Sequence, residues 1–174
     1  MKKIIFLFLF VAILVLTSCA KLNDDFYQIK DYETVGIIKN YDENKIEDRL
    51  KKRILKQFIP EMSCDVATVS VEMLGTSDNR NYAIYCCAGY NNEDTAPRRC
   101  YSTSGLAEIR DIDNDDYTLL SDTAGAYFWE QHLPNEIVKN INNKFKSENF
   151  SWYVYTVGKM EDETLQDAAE YINK

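Results

Sequence analysis

Three aspartates spaced two residues apart form the pattern in this chain most suggestive of metal binding. Asp111, Asp113 and Asp115 match the first, third and fifth positions of a calcium-binding EF-hand loop, and Asp122 falls at the twelfth. The match is incomplete, because Asp116 replaces the glycine of the sharp turn and Asp122 is shorter than the usual bidentate glutamate. Runs of Asp and Asn are also common in solvated turns. An acidic turn is the main interpretation, and calcium at these aspartates is the alternative.

Beyond this loop, the sequence offers no set of residues with the spacing of a catalytic site. His132 is the only histidine, and no Ser or Cys stands with an acid at a spacing that would complete a triad. Pairs of carboxylates, which glycosidases use for catalysis, are not informative in this sequence. A chain with 28 acidic residues always contains such pairs. With six glycines the chain has no glycine-rich phosphate loop. A protein that is not an enzyme is expected, with a small envelope hydrolase or thiol enzyme as an alternative.

The N-terminus has the pattern of an export signal. Lys2 and Lys3 precede an unbroken apolar run of 13 residues, 4–16. A membrane-spanning helix needs about 20 residues, so the run fits the apolar core of a secretory signal peptide instead. Leu16-Thr17-Ser18-Cys19 follows. This segment resembles the lipobox of bacterial lipoproteins, in which an aliphatic residue, a small residue or threonine, and then Gly, Ala or Ser precede the cysteine.

The resemblance implies that residues 1–18 are cleaved and that the thiol of Cys19 receives a diacylglycerol. The new amine is then usually acylated, and two or more acyl chains anchor a protein stably. Ala20 stands where some envelope lipoproteins carry an aspartate, and by that resemblance the outer membrane is expected, facing the periplasm or exposed at the cell surface. Residues 19–33 are expected to be the lipidated N-terminus and a polar tether, and residues 34–174 a single globular domain.

Four cysteines remain in the predicted domain: Cys64, Cys86, Cys87 and Cys100. An even number in an exported domain predicts two disulfides. They contain no C-x-x-C pair, so neither a zinc site nor a thioredoxin-like site is expected. Cys86 and Cys87 are neighbours on a predicted strand and should point to opposite faces. Cys100 is expected to lie across from this pair and to bridge one of the two, and Cys64 the other.

The charge balance narrows the class of partner. The chain has 20 basic and 28 acidic residues and a net charge of −8. Removal of Lys2 and Lys3 with the signal would leave −10. Proteins that bind nucleic acid or anionic lipid headgroups usually carry clustered Lys and Arg, so neither partner is expected, and the basic run after residue 48 is interpreted as a solvated helix face. Strong acidity would steer an exported domain to a basic toxin or lysozyme, which favours an inhibitor or immunity protein as a second hypothesis.

Positioning these residues requires a folded domain, and the apolar periodicity predicts its elements. Strands are predicted at 34–41, 66–74, 81–90, 98–103 and 150–157. Helices are predicted from a cap at Asp42 or Asn44 to about Phe58, from Pro134 to Phe145, and over 161–173. Strands grouped between separated helices indicate an α+β fold. We expect a mainly antiparallel, disulfide-stabilised sheet of four to five strands with about three helices packed mainly on one face.

The sequence therefore predicts a membrane-anchored envelope lipoprotein that binds without catalysis. Its expected partners are the lipid membrane, through acylated Cys19, and another envelope protein or a cell-wall component. No cofactor is expected unless the acidic turn holds calcium.

Overall fold

The computed structural model of the chain describes residues 35–93, 96–121, 131–145 and 149–173. These residues form one five-stranded mixed sheet with three α-helices, which is an α+β fold. The elements in chain order are β1 (Gly36–Ile37), α1 (Ile46–Phe58), a 3-10 helix (Ile59–Glu61), β2 (Val66–Ser77), β3 (Arg80–Asn91), β4 (Arg98–Asp111), β5 (Asp116–Ser121), α2 (Asn135–Phe145) and α3 (Asn149–Ile172).

The strands follow one another across the sheet in chain order. β1 pairs with β2 in parallel, whereas the other three neighbouring pairs are antiparallel. α1 connects β1 to β2, and parallel neighbours need a crossover connection of this kind. The sheet is thus mainly antiparallel, as expected, but the short parallel pair makes it a mixed sheet and not a purely antiparallel one. Only Gly36–Ile37 of the predicted first strand is a strand, and these two residues lie along β2.

The strands of both hairpins extend further than predicted. β2 reaches Ser77 and β3 begins at Arg80, so only Asp78 and Asn79 remain in the turn. Both have positive φ, 51° and 59°, as in the two-residue type I′ turn, whose twist matches antiparallel strands. β4 continues to Asp111, beyond the predicted end at 103, and pairs with β5, where no strand is predicted.

Helices cover both faces of the sheet, which corrects the expectation that they pack mainly on one. On one face, α1 buries Leu50 against β2 residues such as Val69. On the other face, α2 and α3 bury Ile137 and Met160 against Ile84 of β3. Successive strand side chains point to opposite faces, so β3 can contribute to both cores. Among the described residues, two larger apolar cores therefore lie on opposite faces of the sheet, and a smaller cluster around Tyr90 and Ala168 adds to the packing of α3.

The segment 150–157, which is predicted to be a strand, lies instead in α3. Its aromatic and β-branched residues favour a strand by propensity. The buried positions of α3 nevertheless recur every three or four residues, at Tyr153, Thr156, Met160, Thr164 and Ala168. This is the period of a helix face, and packing of that face on the sheet outweighs the local preference. The predicted helix 161–173 is the later part of the same helix.

α1 and α2 are confirmed close to their predicted bounds. α1 ends at Phe58, and Pro60 stands in the first turn of the 3-10 helix that follows. The predicted caps are wrong, because Lys45 occupies the N-cap position without a side-chain cap bond. The carboxylate of Asp42 instead accepts a hydrogen bond from the backbone N–H of Asn44 at 3.0 Å. This bond closes a local turn ahead of the helix.

Candidate functional site

Several predicted site residues lie outside the described part of the chain. Cys19 and the rest of the lipobox precede residue 35, and Asp122 follows the end of β5. None of the described helices combines the length and the apolar composition needed to cross a membrane. The features that can be placed are the four cysteines of the domain, the turn between β4 and β5, and clefts beside α1 and α3.

The cysteines of the two central strands are separated by the sheet. Cys87 packs in the core under α1 and Cys86 in the core under α2 and α3, which confirms their opposite orientation. The register pairs Cys86 with Ser104 and Cys87 with Thr103. Cys100 therefore lies further along β4 and not across from either, contrary to expectation. It stands where the β3–β4 register shifts and is exposed.

None of the four described cysteines is in a disulfide, so the fold as described has no such cross-link. Cys64, Cys86 and Cys87 are buried. Burial raises the pKa of the Cys86 thiol to about 12 and holds the pKa of Cys87 well above its ordinary value. A buried thiol stays protonated because its thiolate would lose hydration. Because the thiolate is the nucleophile of cysteine chemistry, these two residues are poor candidates for catalysis.

The acidic turn of residues 112–115 joins β4 to β5. The carboxylate of Asp111, just before it, accepts hydrogen bonds from the backbone N–H of Asp113 at 3.0 Å and from Nδ2 of Asn114 at 2.7 Å. These bonds, first of all those from Asn114, lower the pKa of Asp111 because they stabilise its charged form. Asp115 adopts a positive φ of 58°, which Asp tolerates better than most residues. The main interpretation, a turn built by its own Asp and Asn side chains, agrees with this geometry.

The aspartates of this turn are engaged by α1. Asp113 contacts Nη1 of Arg49, and Oδ1 of Asp115 lies 2.9 Å from Nε of Arg53. Within the described ranges, no three or more His, Cys, Asp or Glu side chains are grouped so that they could share a metal ion. Calcium binding at Asp111, Asp113, Asp115 and Asp122 stays a prediction, and a calcium ion would have to displace two arginines.

A groove lies between α1 and the β4–β5 turn, and we call it the α1 groove. It consists of two clefts of about 370 and 500 Å³ that share Arg53. The first is lined by Tyr41, Arg49, Lys52, Arg53, Ile112 and Asp113, and the second by Arg53, Lys56, Gln57, Asp115 and Tyr117. Among the residues that the structure describes, the lining brings together Arg49, Lys52, Arg53 and Lys56 with Asp113 and Asp115.

Two phenol rings belong to the α1 groove, one in each cleft. Tyr41 is exposed, and the ammonium of Lys52 lies 5.7 Å from the centre of its ring, within range of a cation–π contact. Tyr117 is half-buried; burial and the neighbouring Asp115 raise the pKa of its hydroxyl. Tyr117 therefore remains a neutral phenol at physiological pH, able to stack and to donate a hydrogen bond.

A third cleft, of about 530 Å³, lies beside α3 and is lined by Tyr90, Pro97, Arg99, Glu161, Asp162 and Leu165. Arg99 pairs with Glu161 at 2.9 Å. α3 carries five acidic residues and one lysine, whereas α1 carries five basic residues and two acidic ones. Because the two helices cover opposite faces of the sheet, the positively and negatively charged helix surfaces are separated.

The basic run on α1 is more than the solvated helix face that its sequence indicates, because two of its arginines pair with the β4–β5 turn. Arg49 and Arg53 are one helical turn apart, about 6 Å along the axis, and Asp113 and Asp115 are two residues apart in a turn. These matched spacings are visible in the sequence. The two ion pairs can form only because the sheet brings the β4–β5 turn against α1. No local sequence pattern predicts this contact.

Comparison of the chain with models of protein families, with curated proteins and with solved structures found no match.

Proposed function

We propose that this protein is a lipid-anchored component of the bacterial envelope whose domain binds another envelope component without catalysis. The anchoring rests on the signal sequence and lipobox that end at Cys19. The binding role rests on one observation, the α1 groove, in which cations and aromatic rings are gathered on an otherwise acidic protein. Its polar groups are suited to recognition, because convergent charged and aromatic side chains orient a ligand.

Anchoring is tested by replacing the acylated residue. Cys19→Ser should leave the precursor uncleaved and unlabelled by radioactive palmitate, because a hydroxyl does not replace the thiolate in thioether formation. Cys100→Ser is the matched control and should keep both processing and label. Flotation of the labelled protein with outer-membrane vesicles would support the proposed location. Palmitate labelling that persists in Cys19→Ser would refute the anchor.

A second candidate, an inhibitor or immunity protein against a basic hydrolase, is favoured by the surface of α3. Four of its large apolar side chains are exposed, Val154 at 52%, Tyr155 at 67%, Leu165 at 42% and Tyr171 at 51%, and they share the helix with five acidic residues. Exposed aromatic and aliphatic groups beside one sign of charge fit a protein surface of the opposite sign.

This candidate predicts salt-sensitive inhibition of a basic lysozyme or toxin. Asp162→Lys should slow association, because it reverses a charge on the surface that would steer the partner. Glu43→Lys changes the net charge equally at an exposed position ahead of α1 and should have a smaller effect. Inhibition that is absent, or insensitive to salt, would exclude this candidate.

We also propose one disulfide, between Cys64 and Cys87, formed after export. Both side chains are buried in the same core, and Sγ of Cys64 lies over Gly89, the next residue on the Cys87 face of β3. Oxidation would form one Sγ–Sγ bond. The two thiols would give two protons and two electrons to the disulfide of an envelope thiol oxidase, which becomes a dithiol. Cys86 and Cys100 would remain thiols.

A further inference from the structure

We infer that Met62, Cys64 and Cys87 form a binding site for Cu(I), a soft monovalent metal ion. The inference goes beyond the proposed binding function and concerns the dithiol state of the two cysteines for which a disulfide is proposed. The same thiols cannot be bridged and ligate a metal at once, so bound copper and the disulfide are alternative states of one pair. The site is carried by the direction of three sulfur-bearing side chains and by the space that one glycine leaves.

Met62 and Cys64 point into the core from the same short segment, which joins the 3-10 helix to β2. The segment begins with extended backbone, φ −97° and ψ 129° at Met62. Its exposure alternates, because Met62 and Cys64 are buried whereas Ser63 and Asp65 are exposed. The backbone N–H of Asp65 donates to the carbonyl oxygen of Tyr90 at 3.0 Å and holds the segment against β3. Alternate side chains of an extended segment lie on one side, so the thioether and the thiol face the sheet together.

Both of these sulfur atoms lie over Gly89 of β3. A Cβ at this position would lie 2.9 Å from Sγ of Cys64 and 3.2 Å from Sδ of Met62, so the two sulfurs approach the same point above the strand. Cys87 stands two residues earlier on β3. Residues two apart on a strand share a face, and Cys87 is buried in the same core as Met62 and Cys64. The three sulfur-bearing side chains therefore share one part of the core, where Gly89 leaves room for them.

The donor set selects the metal. Thiolates and thioethers are soft ligands, and a set made only of them favours Cu(I). Zn²⁺ usually takes four ligands from Cys, His, Asp and Glu, and the described part of the chain groups no three of these side chains around one point. Each thiol that ligates Cu(I) gives up its proton to water as the Cu–S bond forms, and no electron is transferred. The thioether of Met62 adds a ligand without adding charge.

One stretch of chain separates the site from solvent. Cys64 and Cys87 are fully buried and Met62 is 5% exposed, so the ion enters when the segment 62–65 opens. This segment belongs to no helix or strand, and both neighbours of Cys64 are exposed. Opening of such a surface segment costs less free energy than unfolding the whole domain. Once the segment closes, the bound ion is held away from water.

The test uses the full chain, extracted in detergent from membranes or taken from the soluble fraction if it is not anchored. Thiols are counted first, and the protein is then reduced with a phosphine and freed of reductant without oxygen. Cu(I) is supplied as its coloured complex with bathocuproine disulfonate, and loss of the colour reports transfer to the protein. We expect the reduced chain to take one Cu(I) from the chelator. X-ray absorption should show sulfur as the only neighbour of the copper.

Variants assign the copper to the three sulfur atoms. Cys64→Ala and Cys87→Ala should each lower the affinity by more than the roughly 10- to 100-fold that loss of an outer-shell partner costs a metal site. Met62→Leu conserves side-chain volume and should lower the affinity less, because it removes the uncharged ligand. Cys86→Ala is the matched control, a buried cysteine of the same strand that faces the other core, and should keep full binding. Bound Cu(I) should raise the melting temperature of the wild type and of Cys86→Ala, and not that of Cys64→Ala.

No transfer of Cu(I) to the fully reduced chain would overturn the inference, as would transfer that neither Cys64→Ala nor Cys87→Ala weakens. If an alanine variant does not fold, Met62→Leu decides, and an unchanged affinity would then refute the site. Equal loss in Cys86→Ala would place the copper elsewhere, and Zn²⁺ bound as tightly as Cu(I) would contradict a soft site. Failure here is separable from failure of the proposed disulfide, because thiols are counted before reduction and copper is added after it.

Discussion

Nε of Arg53 in α1 lies 2.9 Å from Oδ1 of Asp115 in the β4–β5 turn, and the two side chains form an ion pair. One helical turn earlier, Arg49 pairs with Asp113 through Nη1. Two ion pairs therefore join α1 to a turn far away in the sequence. The aspartate side chains are more than half exposed, 69% for Asp113 and 63% for Asp115. Water and salt screen such pairs, so they align the turn with the helix more than they stabilise the fold.

The free energy of this coupling can be measured with a double-mutant cycle on Arg53→Ala and Asp115→Asn. Asparagine keeps the positive φ of position 115 accessible, so the cycle reports the ion pair rather than backbone strain. We expect a coupling of about 0.5 kcal/mol in urea unfolding, weakening in high salt. A coupling of about 2 kcal/mol or more that salt does not reduce would show that the pair behaves as a buried one.

A calcium ion at this turn would have to compete with these arginines for the same carboxylates. At millimolar calcium, the full chain should give no saturable heat, because binding would have to break both ion pairs and gather at least six oxygens. The double variant Arg49→Ala, Arg53→Ala is the informative comparison. It removes both arginines and leaves the carboxylates of Asp113 and Asp115 available to calcium. Heat in the wild type that Asp113→Ala removes would instead establish the calcium site.

Tyr85 buries a hydroxyl group that has no hydrogen-bond partner among the described residues. Burial raises the pKa of this phenol well above its ordinary value. Tyr85→Phe should leave the free energy of unfolding unchanged or raise it by about 1 kcal/mol, because it removes an unsatisfied polar group. Tyr90→Phe is the matched control: its hydroxyl lies 2.9 Å from Oγ1 of Thr164, so its loss should cost about 1 kcal/mol. If Tyr85→Phe destabilises the protein as much as Tyr90→Phe does, the hydroxyl of Tyr85 must have a hydrogen-bond partner.

Two glycines should respond in opposite ways to alanine. A Cβ at Gly89 would lie 2.9 Å from Sγ of Cys64 and 3.2 Å from Sδ of Met62, so Gly89→Ala should destabilise the reduced protein by about 1–3 kcal/mol. At Gly158, exposed on α3, a Cβ would meet no atom within 4 Å, so Gly158→Ala should stabilise by about 1 kcal/mol through helix propensity. Cys64→Ala should relieve only part of the Gly89→Ala penalty, because Cβ of residue 64, 3.0 Å from the new Cβ, and Sδ of Met62 stay in place; no relief at all would show that the contact with Sγ contributes nothing.

Alkylation of thiols tests both burial and the proposed bridge. In the folded protein only Cys100 should react at neutral pH, because the other three are buried and the pKa of Cys86, about 12, keeps it protonated. After unfolding without reductant, Cys86 and Cys100 should react and Cys64 and Cys87 should not. Cys64→Ser should make Cys87 reactive on unfolding. Four reactive thiols in the unfolded, unreduced protein isolated from the envelope would contradict the disulfide.

Local sequence patterns predict those elements of the fold in which the spacing of apolar residues matches the face that the structure buries. The four-residue spacing of Ile46, Leu50, Ile54 and Phe58 predicts α1, and this face does pack on the sheet. Alternation along β3 likewise predicts that Cys86 and Cys87 face opposite sides. The sequence also determines the charge balance and the lipobox pattern, because these are properties of the chain before it folds.

Only the tertiary structure decided which elements meet. The Arg53–Asp115 contact and the α1 groove require β5 to pair with β4 and α1 to cover that face, which depends on long-range pairing. The two-residue β1 gains its strand geometry from β2 alone. α3 is helical over 150–157 because Tyr153 and Thr156 are buried against the sheet, and this burial outweighs the intrinsic strand preference of its residues. The local preference of a residue for helix or strand is weak compared with the free energy of burying apolar surface. The sequence by itself therefore determined the elements in which local preference and burial agree, and tertiary packing decided the other elements.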